Sequence, residues 1–233
     1  MFIPEVNESR ALFNHLLLTR LSSSAFAFYE AACAQPCELD SKAFNKLIAL
    51  ASRHAKRQLL CLSEAENALV QKQLPGWDLS RWNLLELLRV ALILAQPNLT
   101  LPEFAKMFSD AFQFADEGEL CAFYKAIPLL PAPERFSWHM KEACRSNMRS
   151  LFCAAACDNP FPFHHFDDIA WNQLVMKAIF IEVPLAQIFG VERRRSEKLA
   201  AMTCDFIAER TSAGRHIPKD TELLLLPTTA SAI

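Results

Sequence analysis

Asn159-Pro160-Phe161-Pro162-Phe163-His164-His165-Phe166-Asp167-Asp168-Ile169-Ala170-Trp171-Asn172-Gln173-Leu174-Val175-Met176-Lys177-Ala178-Ile179-Phe180-Ile181-Glu182 is the stretch on which the reading of this chain turns. Two prolines disfavour helix at its start, and Asp167 or Asp168 then offers an N-cap. At about 100° per residue, Ala170, Trp171, Leu174, Val175, Ala178 and Ile181 fall on one broad apolar face. Ile169, Met176, Ile179 and Phe180 cover much of the opposite side. A helix apolar almost all round belongs inside a protein, so the segment predicts a buried helix carrying a few polar side chains.

Outward from this segment the same punctuation recurs. Toward the N-terminus the spacing predicts a helix over Glu8 to Ala34, and one capped by Asp40 running to about Leu60. A third starts at the Ser63–Glu66 capping box. Another, Leu84 to Ala95, is opened by Asp78 or Ser80. Pro102 sits in the first turn of a helix reaching Phe114. Glu119 to Ala126 is short, and a charged helix from Pro133 through Arg145 can run on to Cys157. Beyond the quoted stretch, Pro184 to Phe189 is a turn and Ser196 to Ser212 the last long helix. No alternation of period two and no repeat of 20–50 residues stands out. The expectation is one all-α domain of about ten helices over 1–216, an orthogonal bundle or an irregular α-solenoid. A C-terminal tail, 217–233, packs as a strap or lies loose.

Composition supports this class. The chain has 233 residues, of which 52% are apolar and only 4 are glycine, where average usage of about 7% would give roughly sixteen. Rossmann sheets, P-loop enzymes and β-barrels, which run on glycine turns, are poor fits. A net charge of −2 gives no electrostatic reason to expect nucleic acid, and Arg193-Arg194-Arg195 reads as a solvated helix entry. Eight scattered cysteines contain no C-x-x-C pair. Cys33/Cys37 and Cys153/Cys157, each four apart, read as small packing residues in a reducing compartment. Charges at Glu5, Glu8 and Arg10 do not read as a secretory leader, and no uncharged run reaches the roughly 18 residues of a membrane span. The expected location is cytoplasmic.

No G-x-S-x-G, H-E-x-x-H, Walker or dinucleotide fingerprint is present, and no cofactor is expected. The polar residues on the quoted helix are the candidates for binding: Asp167, Asp168, Trp171, Asn172, Gln173 and Lys177. Buried amides and charges need partners. A hydroxylated ligand would supply them, and so would a structural network fastening the Asn159–Pro162 loop. His164-His165 beside two aspartates invites a metal, but neighbouring histidines in an extended stretch point apart and the aspartates serve as caps.

The same block resembles the EboA family, which carries N-P-[YF]-P, then [YF]-F-D, then A-W-N-Q-[ML]-V-[LM]-K-A-[LI]-F. Here these are Asn159–Pro162, Phe166-Asp167 and Ala170 through Phe180. The similarity takes in Ala115–Leu120, Leu129-Leu130-Pro131 with Pro133-Glu134-Arg135, and Arg145–Met148. It continues through Pro184-Leu185, Gly190, Leu199-Ala200 and Ala208–Arg215, and is looser over the first hundred residues. The chain departs from the family at His164-His165, where a less polar pair is usual, and no metal is carried onto them.

The resemblance implies a bacterial, cytoplasmic metabolite-traffic protein. Such proteins are encoded beside a prenyltransferase-like membrane protein, a sugar-phosphate-cyclase-like enzyme, a TatD-like hydrolase, and isomerase-like and phosphatase-like proteins. These clusters make a small secondary metabolite or move it to the cell envelope. The expected function is that of an accessory protein without chemistry of its own. It would bind a pathway intermediate or scaffold enzymes of the cluster, with peripheral contact to a membrane protein. The alternative is an all-α enzyme acting on a polar or phosphorylated small molecule through Lys177 and Asp167 or Asp168. The missing nucleophile–base pair favours the accessory reading.

Overall fold

The computed structural model describes residues 5–37 and 39–225, and every regular element among them is helical. In chain order these are α1 (Val6–Leu18), α2 (Ser23–Ala34), α3 (Ser41–Leu50), α4 (Glu64–Gln73), α5 (Leu84–Leu94) and α6 (Pro102–Ala111). They are followed by α7 (Glu117–Ala126), α8 (Ser137–Arg145), α9 (Arg149–Ala156), α10 (Phe161–His165), α11 (Asp168–Phe180) and α12 (Glu197–Ser212), with short 3-10 turns between. The all-α single domain expected from the sequence is what is found. Among the described residues no helix is long and apolar enough to cross a membrane.

The hub is α5, not the helix that the sequence marks out. Nine of its positions, Leu85 and Leu87 through Leu94, are buried. It packs against α1, α2, α3 and α7, and the chain then passes laterally from α7 to α9, α8, α11 and α12. In contrast, α11 is buried on one side only: Ile169 and Phe180 are each 64% exposed. Periodicity reports how apolar a helix is, but which side is covered depends on neighbours distant in sequence.

Several boundaries differ from expectation for local reasons. The helix expected over Glu8–Ala34 is two helices. Ser22 caps α2 by accepting from the Ala25 N–H. Arg20, in the break, donates to the carbonyls of Leu16 (3.1 Å) and Leu60 (2.9 Å) and grips both oxygens of Glu66 at 2.8 and 2.9 Å. The α3 helix stops at Leu50 because the following chain is spent on pairing: Leu60 N–H donates to Trp82, Leu84 to Gln58 and Leu85 to Lys56. That pairing brings Asn83, rather than Asp78 or Ser80, to the start of α5, in a reciprocal capping box with Glu86. The charged helix from Pro133 breaks at Ser146-Asn147-Met148, separating α8 from α9.

The two prolines do not forbid helix. Pro162 lies in the first turn of α10, where its missing N–H costs nothing. His164 and His165 are therefore helical rather than extended. At the other end of the chain, Thr221 and Leu224 are buried, and the Leu185 N–H donates to Asp220 at 2.7 Å. Residues 217–225 thus pack as a strap, and the rest of the tail, 226–233, lies outside the described residues.

Candidate functional site

The six residues expected on α11 are all in place on that helix, but each has a different neighbour. Asp167 is the N-cap: its carboxylate accepts from the Ala170 N–H at 2.8 Å and from Lys141 Nζ at 2.6 Å. The lysine bond, aided by the backbone one, holds its pKa down to about 2. Asp168 is exposed and meets Arg194 Nη2 at 3.0 Å. Trp171 is buried and its indole N–H donates to the Arg194 carbonyl at 3.1 Å. Asn172 is buried on the core side, while Gln173 is exposed. Gln173 lines a crevice with Lys141, Arg145 and Phe166 of about 10 Å³, room for about one water. Lys177 donates to Asn147 Oδ1 at 2.9 Å and lies 5.9 Å from the Phe180 ring. The set does not converge on one cavity.

What fastens the loop ahead of α11 is Arg194, from the basic run read as a solvated helix entry. Its Nη1 donates to the carbonyls of Pro162 (3.2 Å) and Phe163 (3.0 Å), and its Nη2 to Phe166 (2.6 Å) as well as Asp168. The guanidinium also lies over Trp171, 5.0 Å from the ring centre. One planar fork thus takes three backbone carbonyls. Asn159 secures its own turn, donating to Ala155 and Cys157 carbonyls and accepting from the Phe161 N–H. The client loop was legible in the sequence, but its clip was not, because the clip comes from beyond α11.

A second polar cluster lies between α5, α7 and α9. It surrounds a cavity of about 130 Å³ lined by Arg57, Glu86, Arg89, Glu117, Gly118, Cys121 and Ser150, with Asn83 and Leu85 at its edge. Arg89 is 2% exposed. Its Nε donates to the Ile48 carbonyl at 3.2 Å and its Nη2 to Glu119 at 3.3 Å. Burial lowers the Arg89 pKa, Glu119, Asp116 and Glu86 oppose that, and the charge of Arg57 adds to it. Glu86 is occupied by Lys125 at 2.7 Å and by the Asn83 N–H, and Glu117 accepts from Ser150 at 2.5 Å.

Gly118 makes room for this arrangement. A Cβ there would stand 2.6 Å from Arg57 Nη2 and 3.2 Å from Arg89 Nη1. The sequence carried a signal for the cluster: Arg89 is the one cation in the apolar run Leu84–Leu94, and a charge buried among leucines must be paired or bind something.

The remaining sequence candidates are chemically quieter. His165 stacks on Phe161 at 4.5 Å and His164 lies against Phe163. Burial lowers the pKa of both. Among the described residues no group of three His, Cys, Asp or Glu stands together as a metal site would require. Of the spaced cysteine pairs, Cys33 lies in α2 and Cys37 beyond its end. Cys153 and Cys157, at the end of α9, influence each other: the pairing lowers the pKa of the Cys153 thiol and, with burial, raises that of Cys157.

Residues 9–224 match the family described as metabolite traffic protein EboA. No curated protein and no solved structure matches the chain.

Proposed function

The chain belongs to the EboA family, and from that premise we propose that it is a non-catalytic protein of metabolite traffic that binds a small polar molecule. The observation that carries this reading is the cavity between α5, α7 and α9, where guanidinium, hydroxyl and carboxylate groups meet around Gly118. Such a set recognises a ligand by hydrogen bonds and charge. The alternative, chemistry by Lys177 with Asp167 or Asp168, has less support: Asn147, Lys141 and Arg194 engage these three groups separately. Gln173 and Lys177, on the outer side of α11, are proposed as contacts for a ligand or for partner enzymes of the same gene cluster. The eight free thiols are in keeping with a reducing, cytoplasmic setting.

Native mass spectrometry of protein purified gently from cells carrying the gene cluster tests the reading. A retained small molecule supports a carrier. A co-purified pathway enzyme moves the role to scaffolding, with Lys177→Ala testing whether α11 makes that contact. Bare protein from every preparation refutes both.

A further inference from the structure

We propose that the cavity around Gly118 is a binding site for the oxyanion headgroup of a small metabolite, held between Arg57 and Arg89, with the rest of the molecule extending outward past Arg57. The assignment rests on the binding role proposed above and names the ligand's chemistry.

Three observations meet at this point. Two guanidinium groups approach the same vacant Cβ position on Gly118, one at 2.6 Å and the other at 3.2 Å. Like charges brought together without an anion repel each other, and Arg57 pairs with no carboxylate among the described residues. Second, Arg89 is almost wholly buried, and among the described residues its Nε and Nη2 have acceptors while its Nη1 has none. Its Nη1 faces Gly118 and the cavity with hydrogen-bonding capacity to spare. Third, Gly118 lies in the first turn of α7, after the Asp116 cap, where unpaired N–H groups and the helix dipole also favour negative charge.

Size and the surrounding carboxylates narrow the class. A cavity of about 150 Å³ lodges a molecule as small as benzene, so the 130 Å³ here accepts a phosphate or carboxylate and little more. Glu86 and Glu117 also line it. Glu86 is neutralised by Lys125, but among the described residues Glu117 has only the Ser150 hydroxyl. The attraction of the two guanidinium groups for a bare anion is offset in part by Glu117. A ligand carrying a hydroxyl or amine beside its oxyanion would bond to it. The site therefore fits a hydroxylated phosphate ester or a hydroxy or amino acid.

The test is calorimetric titration of the full chain with inorganic phosphate and, separately, with acetate. Arg57→Gln and Gly118→Ala are the informative variants, because Arg57 is exposed and alanine is the better helix former. Arg57→Gln should keep the wild-type melting temperature, and Gly118→Ala is read beside its own melting curve, because its Cβ would stand 3.2 Å from Nη1 of the buried Arg89. Anion affinity should fall about tenfold or more, the effect of losing one charge-assisted hydrogen bond. Loss of phosphate binding in both variants supports a phosphoryl headgroup, and the same pattern with acetate alone supports a carboxylate. Absence of binding by either anion, or binding that survives both substitutions, overturns the assignment. If protein from cells carries a molecule but neither anion binds, the traffic role stands and this site falls. If anions bind as stated but the protein is always bare, the site stands and the traffic role falls.

Discussion

Replacing each arginine of the 193–195 run in turn asks whether that run is a solvated patch or contains a structural clip. Arg194→Ala removes the donors to Pro162, Phe163 and Phe166 carbonyls, the contact with Asp168 and the stacking on Trp171. Hydrogen bonds from a charged donor contribute about 1.5–3 kcal/mol each. The Arg194 side chain is 21% exposed, so water re-solvates part of what is lost, and bonds sharing one group do not add. The expected cost is ~3–4 kcal/mol. Arg193 stands over the Phe163 and Phe189 rings at 4.8 and 4.7 Å, and its removal should cost ~1 kcal/mol. Arg195 bonds Glu192 and Leu223 carbonyls from an exposed position, and its removal should stay within ~0.5 kcal/mol. Arg194→Lys keeps the charge but not the fork and should recover less than half of the loss. Equilibrium urea unfolding followed by circular dichroism reads all four. If the three alanine variants cost the same, each below ~1 kcal/mol, the clip does not hold the loop and the solvated reading was right.

Three other outcomes are expected. Gly190→Ala should cost ~3 kcal/mol, because its φ of +73° disfavours a side chain and a Cβ would lie 2.3 Å from Phe163 Cδ2. Gly214→Ala, at φ +63° with nothing within 4 Å, should cost only ~1 kcal/mol, and equal melting shifts for the two would contradict the role given to the ring. Bonding to Arg20, assisted by Ser63, takes the Glu66 pKa from its ordinary 4.5 down to about 2. The stability this supplies is complete above the ordinary value and is lost as pH falls through the folded one. At ~1.4 kcal/mol per tenfold change in proton affinity, discounted for partial exposure, it is worth ~2 kcal/mol. Glu66→Gln should therefore be less stable at pH 7 and flatter between pH 5 and pH 2, and an unchanged acid profile would count against the Arg20 clamp. Lys177→Ala should stay folded, losing under ~1 kcal/mol, since among the described residues its amine bonds only Asn147 and lies over an exposed ring. Melting of this variant near the temperature at which wild type unfolds is the check.

By itself the sequence determined what depends on neighbours along the chain. Helix class followed from apolar spacing and the scarcity of glycine. The Asp40 cap, the Ser63–Glu66 box and Pro102 in a first turn are bonds made within a few residues, and each stands where the pattern put it. Family membership was legible for a similar reason, since an ordered string of short blocks survives without knowledge of their packing.

Tertiary structure decided whatever depended on partners far away in the chain. That Asn83 rather than Asp78 caps α5 follows from residues 56–60 lying beside Trp82–Leu85. That α5 is the buried hub and α11 a half-exposed wall follows from which faces other helices cover. The polar residues of α11 drew attention because they were adjacent in sequence, yet Lys141, Asn147 and Arg194 draw them to separate neighbours. The cavity at Gly118 collects Arg57, Arg89, Glu117 and Ser150 from four separate segments. A local pattern records the 3.6-residue period of a helix, but charges meet through the chain's path in space, and only the assembled fold brings Arg57 and Arg89 to one glycine.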